Sequence, residues 1–194
     1  MQLSDYVDIS AGYSFRERII DDPAGDALVL QAGDLDGTGG INWAGAHKVR
    51  LPRRGRANWL QEGDVLIASK GARNTLAVVD APPGDAICAS NLFVIRPDQT
   101  RLLPAYLAAF MRAGPGRAFL EQAAEGSKVA HLRKSALAAM PLNPPPIERQ
   151  RELLTLEEAI DAELAVLDRL RENRAQTLSA LLGEGLEAQE VAHG

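Results

Sequence analysis

A chain of 194 residues with 46% hydrophobic content and a net charge of −5 suits one domain of ordinary size plus an appendage. No apolar run approaches the length of a membrane span, residues 1–5 lack the basic start and apolar core of a signal peptide, and a lone Cys88 excludes an internal disulfide framework. The expectation is a cytoplasmic protein that meets no membrane, with Cys88 an inert buried thiol among Ala86, Ile87 and Ala89.

Residues 1–26 are mostly polar, with Gly12-Tyr13-Ser14-Phe15 as their distinctive run and Asp21-Asp22-Pro23-Ala24-Gly25-Asp26 as turn chemistry. Residues 27–32 read as a strand, and 33–45, with five glycines, as a loop. A short alternating strand over 48–51 ends at Pro52, because proline has no N–H for a ladder. Arg53-Arg54-Gly55-Arg56 follows as a basic loop. Residues 59–64 turn into a strand over 65–69, Gly71-Ala72-Arg73-Asn74 turns into a strand over 76–79, and Pro82-Pro83-Gly84-Asp85 precedes a strand ending at Ile95. The character then changes. Pro104 opens a helix with Tyr106, Leu107, Phe110 and Met111 on one face. Gly114-Pro115-Gly116 ends it, a second helix covers 117–124, and a short one covers 131–139.

After Pro144-Pro145-Pro146 there is no proline or glycine until Gly183. Proline can open a helix, since the first helical residue needs no N–H partner. About 36 residues can therefore form one helix, roughly 54 Å long at 1.5 Å per residue. Leu153, Leu156, Ile160, Leu164, Leu167, Leu170, Leu178 and Leu181 recur at helical steps as a narrow seam, with a phase slip near Ile160. This is the pattern of a coiled coil, and a lone helix carrying it needs a partner, either a second chain or its own domain. The fold class expected is α+β: a β-rich domain with short helices over 1–146, a long coiled-coil helix over 147–182, and a disordered tail over 183–194.

Charge divides along the same boundary. Residues 1–146 carry 16 basic and 15 acidic side chains, whereas 147–194 carry 5 and 11. Within the first part, 48–73 holds seven basic residues against two acidic, and 112–134 holds five against two. Local basic density is what a polyanion feels, because each phosphate contacted releases counterions. Either cluster alone equally describes a solvated surface.

Catalytic and metal signatures fail on inspection. Asn143-Pro144-Pro145-Pro146 shares its first three residues with the Asn-Pro-Pro-aromatic motif of amino-methyltransferases, but has Pro146 where a base-stacking aromatic is required. Asp34-Leu35-Asp36-Gly37-Thr38-Gly39 begins like a calcium loop, yet the twelfth position is Gly45 where a bidentate glutamate is needed. His47, His131 and His193 lack metal-ligand spacing. No metal and no catalytic residue is expected.

Four runs together resemble the DNA-specificity subunit of type I restriction–modification systems, in a half-length form with one target-recognition domain. They are Gly12-Tyr13-Ser14-Phe15; Leu60-Gln61-Glu62-Gly63-Asp64-Val65-Leu66-Ile67; Phe93-Val94-Ile95-Arg96-Pro97 with Pro104-Ala105-Tyr106-Leu107; and Gly126-Ser127-Lys128-Val129-Ala130-His131-Leu132 with Met140-Pro141-Leu142 and Pro145-Pro146-Ile147-Glu148-Arg149-Gln150. Asn143 and Arg149 depart from the family's usual residues there. The larger departure is length, since a full member has two recognition domains separated by two antiparallel helices.

The resemblance implies a non-enzymatic DNA reader. It would dimerise through the seam and direct a methyltransferase subunit, with or without a restriction subunit, to a bipartite site in double-stranded DNA. S-adenosylmethionine would sit on that partner and no cofactor on this chain. Candidate DNA contacts are Lys48, Arg50, Arg53, Arg54, Arg56, Lys70, Arg73 and Asn74, with Ser127, Lys128, His131, Arg133 and Lys134 as a second group. Tyr13, Phe15, Trp43 and Trp59 read as core, and His131 as a residue that can orient its loop. The competing readings are an assembly adaptor or decoy for methyltransferase subunits, and a hydrolase whose site assembles only in the fold.

Overall fold

The computed structural model describes residues 1–51, 55, 57–70, 75–124 and 131–191, with side chains up to residue 180 apart from Ala124. The architecture is α+β, with two sheets, three short helices and a long C-terminal helix. Two compact units result, Met1–Arg151 and Glu152–Gly194.

In the first unit, β1 (Val7–Ala11), β7 (Leu92–Pro97), β4 (Val65–Ala68) and β5 (Leu76–Val78) lie side by side in that order, antiparallel throughout. A second sheet has the order β3 (His47–Val49), β2 (Ala27–Leu30), β6 (Ala86–Cys88), with β2 and β6 parallel. The central strands of the first sheet are apolar over Val65–Ala68 and over 92–95 because both their faces are covered there. Val65, Ile67, Phe93 and Ile95 pack with Leu107, Met111, Leu120 and Leu137, which come from α1 (Pro104–Arg112), α2 (Gly114–Ala124) and α3 (Lys134–Ala138). Leu66, Ala68, Leu92 and Val94 point the other way, into a core shared with Leu30, Ala86 and Cys88 of the second sheet. On that sheet's far face, Val29, Val49 and Ile87 form a third cluster, covered by Tyr13, Phe15, Ile19 and Trp59. The layers therefore run helices, sheet, sheet, irregular chain.

Several elements differ from the sequence expectation. β1 lies in a stretch read as polar: only Val7 and Ile9 pack on the core, as suits a sheet edge. The run ending at Ile95 is two strands, not one. The chain turns at Ser90-Asn91, where the Leu92 amide donates to Ala89 at 3.0 Å, and so passes from the second sheet to the first. α2 starts at Gly114, whose φ of +53° only glycine adopts readily. A Cβ at Gly116 would come within 2.2 Å of the Phe110 carbonyl, so glycine there lets α1 and α2 close up.

The long helix α4 (Ile147–Val191) starts where the prolines predict, and continues through Gly183 and Gly185 instead of ending at the first of them. A helical glycine costs only about 1 kcal/mol against alanine, too little to stop a run whose other residues favour helix. The expectation of a disordered segment from 183 thus gives way to helix as far as Val191.

The first turn of α4 belongs to the domain, and Gln150 is the reason. Its side chain is fully buried. Its Oε1 accepts from the Leu103 amide at 2.9 Å, and its Nε2 donates to the carbonyls of Arg101 at 2.9 Å and Pro145 at 2.7 Å. One amide side chain thereby joins the entry to α1, the proline run and the start of α4. Gln150→Leu keeps the volume and strands all three groups. It should destabilise the fold by about 2 kcal/mol, read as a lower urea midpoint at unchanged slope.

Candidate nucleic-acid interface

Two of the motif runs meet in one buried ion pair. Asp64 is fully buried, and Arg96 clamps it with Nε to Oδ1 and Nη2 to Oδ2, both at 2.7 Å. Nη2 also donates to the Trp59 carbonyl at 3.0 Å, and Asp64 Oδ2 accepts from the Gln61 amide at 2.8 Å. The hydrogen bond that Arg96 donates to the Asp64 carboxylate raises the guanidinium pKa above its ordinary value. Gly63 supplies the left-handed conformation, φ +86°, that swings the chain from Gln61 into β4. The pair thus ties β4 to β7 and fixes the end of the segment that follows the basic run 53–56. Burial, with Asp64 adding to it, pushes the Cys88 thiol up to about 12, as an inert core sulfur requires.

A second constraint joins the two candidate loop groups. Lys70 and His131 form an antiparallel bridge. The Ser69 carbonyl accepts from the Leu132 amide and contacts His131 Nδ1, each at 2.9 Å. A carbonyl can only accept, so Nδ1 carries the proton in that bond. Ser69 is itself buried, and its amide and hydroxyl both donate to the Asn91 carbonyl at 2.9 Å. Lys70, His131, Arg133 and Lys134 are brought to this place and are all exposed, with Arg133 as the cap residue and Lys134 as the first residue of α3. Arg53, Arg54, Arg56, Arg73, Asn74, Ser127 and Lys128 lie outside the described residues.

Lys48 and Arg50 sit at the second sheet. Lys48 is exposed on β3, its amide donating to Asp21 Oδ1 at 2.8 Å. Arg50 lines a groove of about 870 Å³ whose other wall is residues 11–20. The sequence reading missed this wall as a candidate. Arg16 and Arg18 flank Glu17, so the local net charge is only +1 and charge density does not flag it. The usable signal was the alternation of Tyr13 and Phe15 with polar residues. Their rings meet at a tilt of 55° with centroids 4.8 Å apart and pack against the third core cluster, while Ser14, Arg16 and Arg18 are exposed.

The calcium-like loop consumes its own carboxylate. Asp36 Oδ1 accepts from the Thr38 amide and hydroxyl, both at 2.8 Å, and from the Gly40 amide at 2.9 Å. The bond from the Thr38 hydroxyl is the largest cause that holds the Asp36 pKa below the usual value. Among the described residues no group of three or more His, Cys, Asp or Glu is placed to hold a metal ion. No helix among them is long and apolar enough to cross a membrane.

No protein-family model matches this chain, and no curated protein sequence does. Solved structures do. The HsdS subunit from Thermoanaerobacter tengcongensis matches 87% of this chain with 38% of its own, at a TM-score of 0.64 and 20% identity. A chain from a structure describing complex assembly and conformational transition of the type I R-M system matches 93% with 42% of its own, at 0.70 and 18%. The S subunit of a type I restriction-modification system from M. genitalium matches 88% with 40% of its own, at 0.53 and 14%. This chain has the HsdS fold.

It spans about two-fifths of the length of those HsdS chains. Within the HsdS fold, the motif runs that carried the resemblance acquire structural reasons. Gly63 and Asp64 build the turn into β4, Arg96 completes the buried pair, and Gln150 holds the first turn of α4. Gly12 has an equally specific role. A Cβ there would lie 2.2 Å from the Ala89 carbonyl oxygen, because the Gly12 and Tyr13 amides donate to Leu92 and Cys88 as the chain crosses from the first sheet to the second. Arg96→Ala should cost about 3 kcal/mol, the lower end for breaking a buried pair because Arg96 itself keeps 34% exposure. Chemical denaturation would measure the loss, and a change under about 0.5 kcal/mol, the range of an ordinary surface substitution, would show that the pair is dispensable.

Proposed function

We propose that this chain is a DNA-reading specificity half-subunit of a type I restriction–modification system. In this reading it pairs with a second copy through α4 and directs a methyltransferase subunit to a bipartite site. The observation that carries the reading is coverage: some nine-tenths of this chain matches about two-fifths of each HsdS chain, so two copies would supply most of one.

The helix supplies a means of pairing. Leu156, Ile160, Leu164, Leu167, Leu170 and Leu178 are 46–59% exposed, and Leu153 is half-buried. At 3.6 residues per turn these seven fall within about 120° of the helix circumference. Leu181 lies beyond the described side chains. Burying a leucine yields about 1.5–3 kcal/mol, so six left in water are a strong drive to associate. Two identical seams meeting about a two-fold axis form a self-complementary interface.

The domain would supply the reading. Cations around the Ser69 clasp would hold phosphates and set register, while polar side chains of the adjoining loops reach base edges. The chain itself would perform no chemistry, and S-adenosylmethionine would be bound by the methyltransferase partner.

Ile160→Glu with Leu167→Glu should convert a dimer to monomers by light scattering, with the far-ultraviolet circular dichroism of the domain retained. A dimer that survives both charges would remove the seam from the interface. Methylation mapping of DNA from cells carrying the system should show a palindromic interrupted motif. Retention of the purified chain on duplex DNA separates this reading from an adaptor that only gathers methyltransferase subunits.

A further inference from the structure

The groove between residues 11–20 and Arg50 is lined by none of the residues of the Ser69 clasp. Its construction is specific. Gly12 presses the backbone against the Ala89 carbonyl, and Tyr13, Phe15 and Ile19 pack down on the second sheet. The residues between them, Ser14, Arg16, Glu17 and Arg18, are left facing solvent. Arg50 enters from the end of β3, with Nη2 only 3.5 Å from the Ala24 carbonyl, a weak hold on a guanidinium. Among the described residues Arg16 and Arg18 form no salt bridge, even with Glu17 between them in sequence. Asp22, the other acid of the lining, is turned to its own loop, its Oδ1 accepting from the Ala24 amide at 2.9 Å.

Three guanidinium groups thus line one concavity, and among the described residues none of the three forms a salt bridge to a carboxylate. Ile20, on the same lining, is 74% exposed, an apolar side chain beside a charged hollow. Arginine is the side chain suited to phosphate, because its planar fork donates two parallel hydrogen bonds. An open groove with three such groups in its lining fits a repeating anion better than a single one.

We propose that this groove is a duplex-DNA contact in which Arg16, Arg18 and Arg50 bind backbone phosphates. The inference rests on the DNA-reading function above and adds a wall of the interface that the sequence reading did not include. It predicts contacts that set affinity and register without choosing bases.

The test uses the full chain and a labelled duplex of random sequence, titrated across a potassium chloride series. Arg16→Ala with Arg18→Ala removes two contacts, so the slope of log affinity against log salt should become shallower by about 1.8 units, at about 0.9 per phosphate. Arg16→Lys with Arg18→Lys should keep most of the slope, since charge is retained. Both positions are exposed, so the thermal midpoint should not move. Equal affinity and equal slope for wild type and the alanine variant would overturn the groove while leaving DNA reading intact. A wild-type chain that retains no duplex at any salt would overturn both. Inorganic phosphate at matched ionic strength should not compete, and full competition would put a discrete phosphate ligand in the groove and overturn the proposal.

Discussion

The Asp64–Arg96 pair is the contact on which the domain's geometry depends. A carboxylate with no exposure is tolerable only if its charge and lone pairs are met, and here two guanidinium nitrogens and the Gln61 amide meet them. The same guanidinium reaches the Trp59 carbonyl. One cation therefore fixes the strand it stands on, the strand beside it, and the chain entering that strand. An apolar pair of equal volume could give comparable stability but would not fix the direction of the 59–64 turn. Directed hydrogen bonds do, and this turn closes the segment that begins with the basic run.

The two sheets impose a second constraint. Two of the chain's crossings between them, at Gly12-Tyr13 and at Ala89-Ser90-Asn91-Leu92, lie side by side. Both passages use the same backbone: the Gly12 amide bonds to Leu92 and the Tyr13 amide to Cys88. Because this crossing has no room for a side chain, Gly12 is tied to the position of Ala89. The residues just after Gly12 run over the outer face of the second sheet, where Tyr13, Phe15 and Ile19 pack, and Arg16 and Arg18 line one groove with Arg50.

What could be read beforehand follows the strength of the local signal. β4 was legible because a strand buried on both faces is apolar at every position, as in Val65-Leu66-Ile67-Ala68. The start of α4 was legible because three prolines permit a helix to begin and forbid it earlier. β1 was not, since an edge strand with two packed residues in five has a polar composition. The end of α4 was misplaced because one glycine looks like a stop and costs little within a favourable run. At the candidate interface, the sequence contains Lys70 and His131 but not their adjacency, which arises from a bridge between positions 61 residues apart. Arg16 and Arg18 escaped notice for the opposite reason: a glutamate between them masks their charge in any count along the chain.

The division of charge bears on how such a molecule could work. Residues 147–194 carry 11 acidic side chains against 5 basic, while the rest of the chain is nearly balanced. An acidic helix gains nothing from a phosphate backbone, so nucleic acid would be drawn to the cations of the domain and kept off α4. The helix then remains available for protein contacts through its leucines. A basic helix would compete with the loops for the same polyanion and blur the register that a fixed spacer is meant to set. Under the proposed function, this segregation of sign would separate two tasks that share one short sequence: contact with an anion by the domain and pairing of apolar seams along α4.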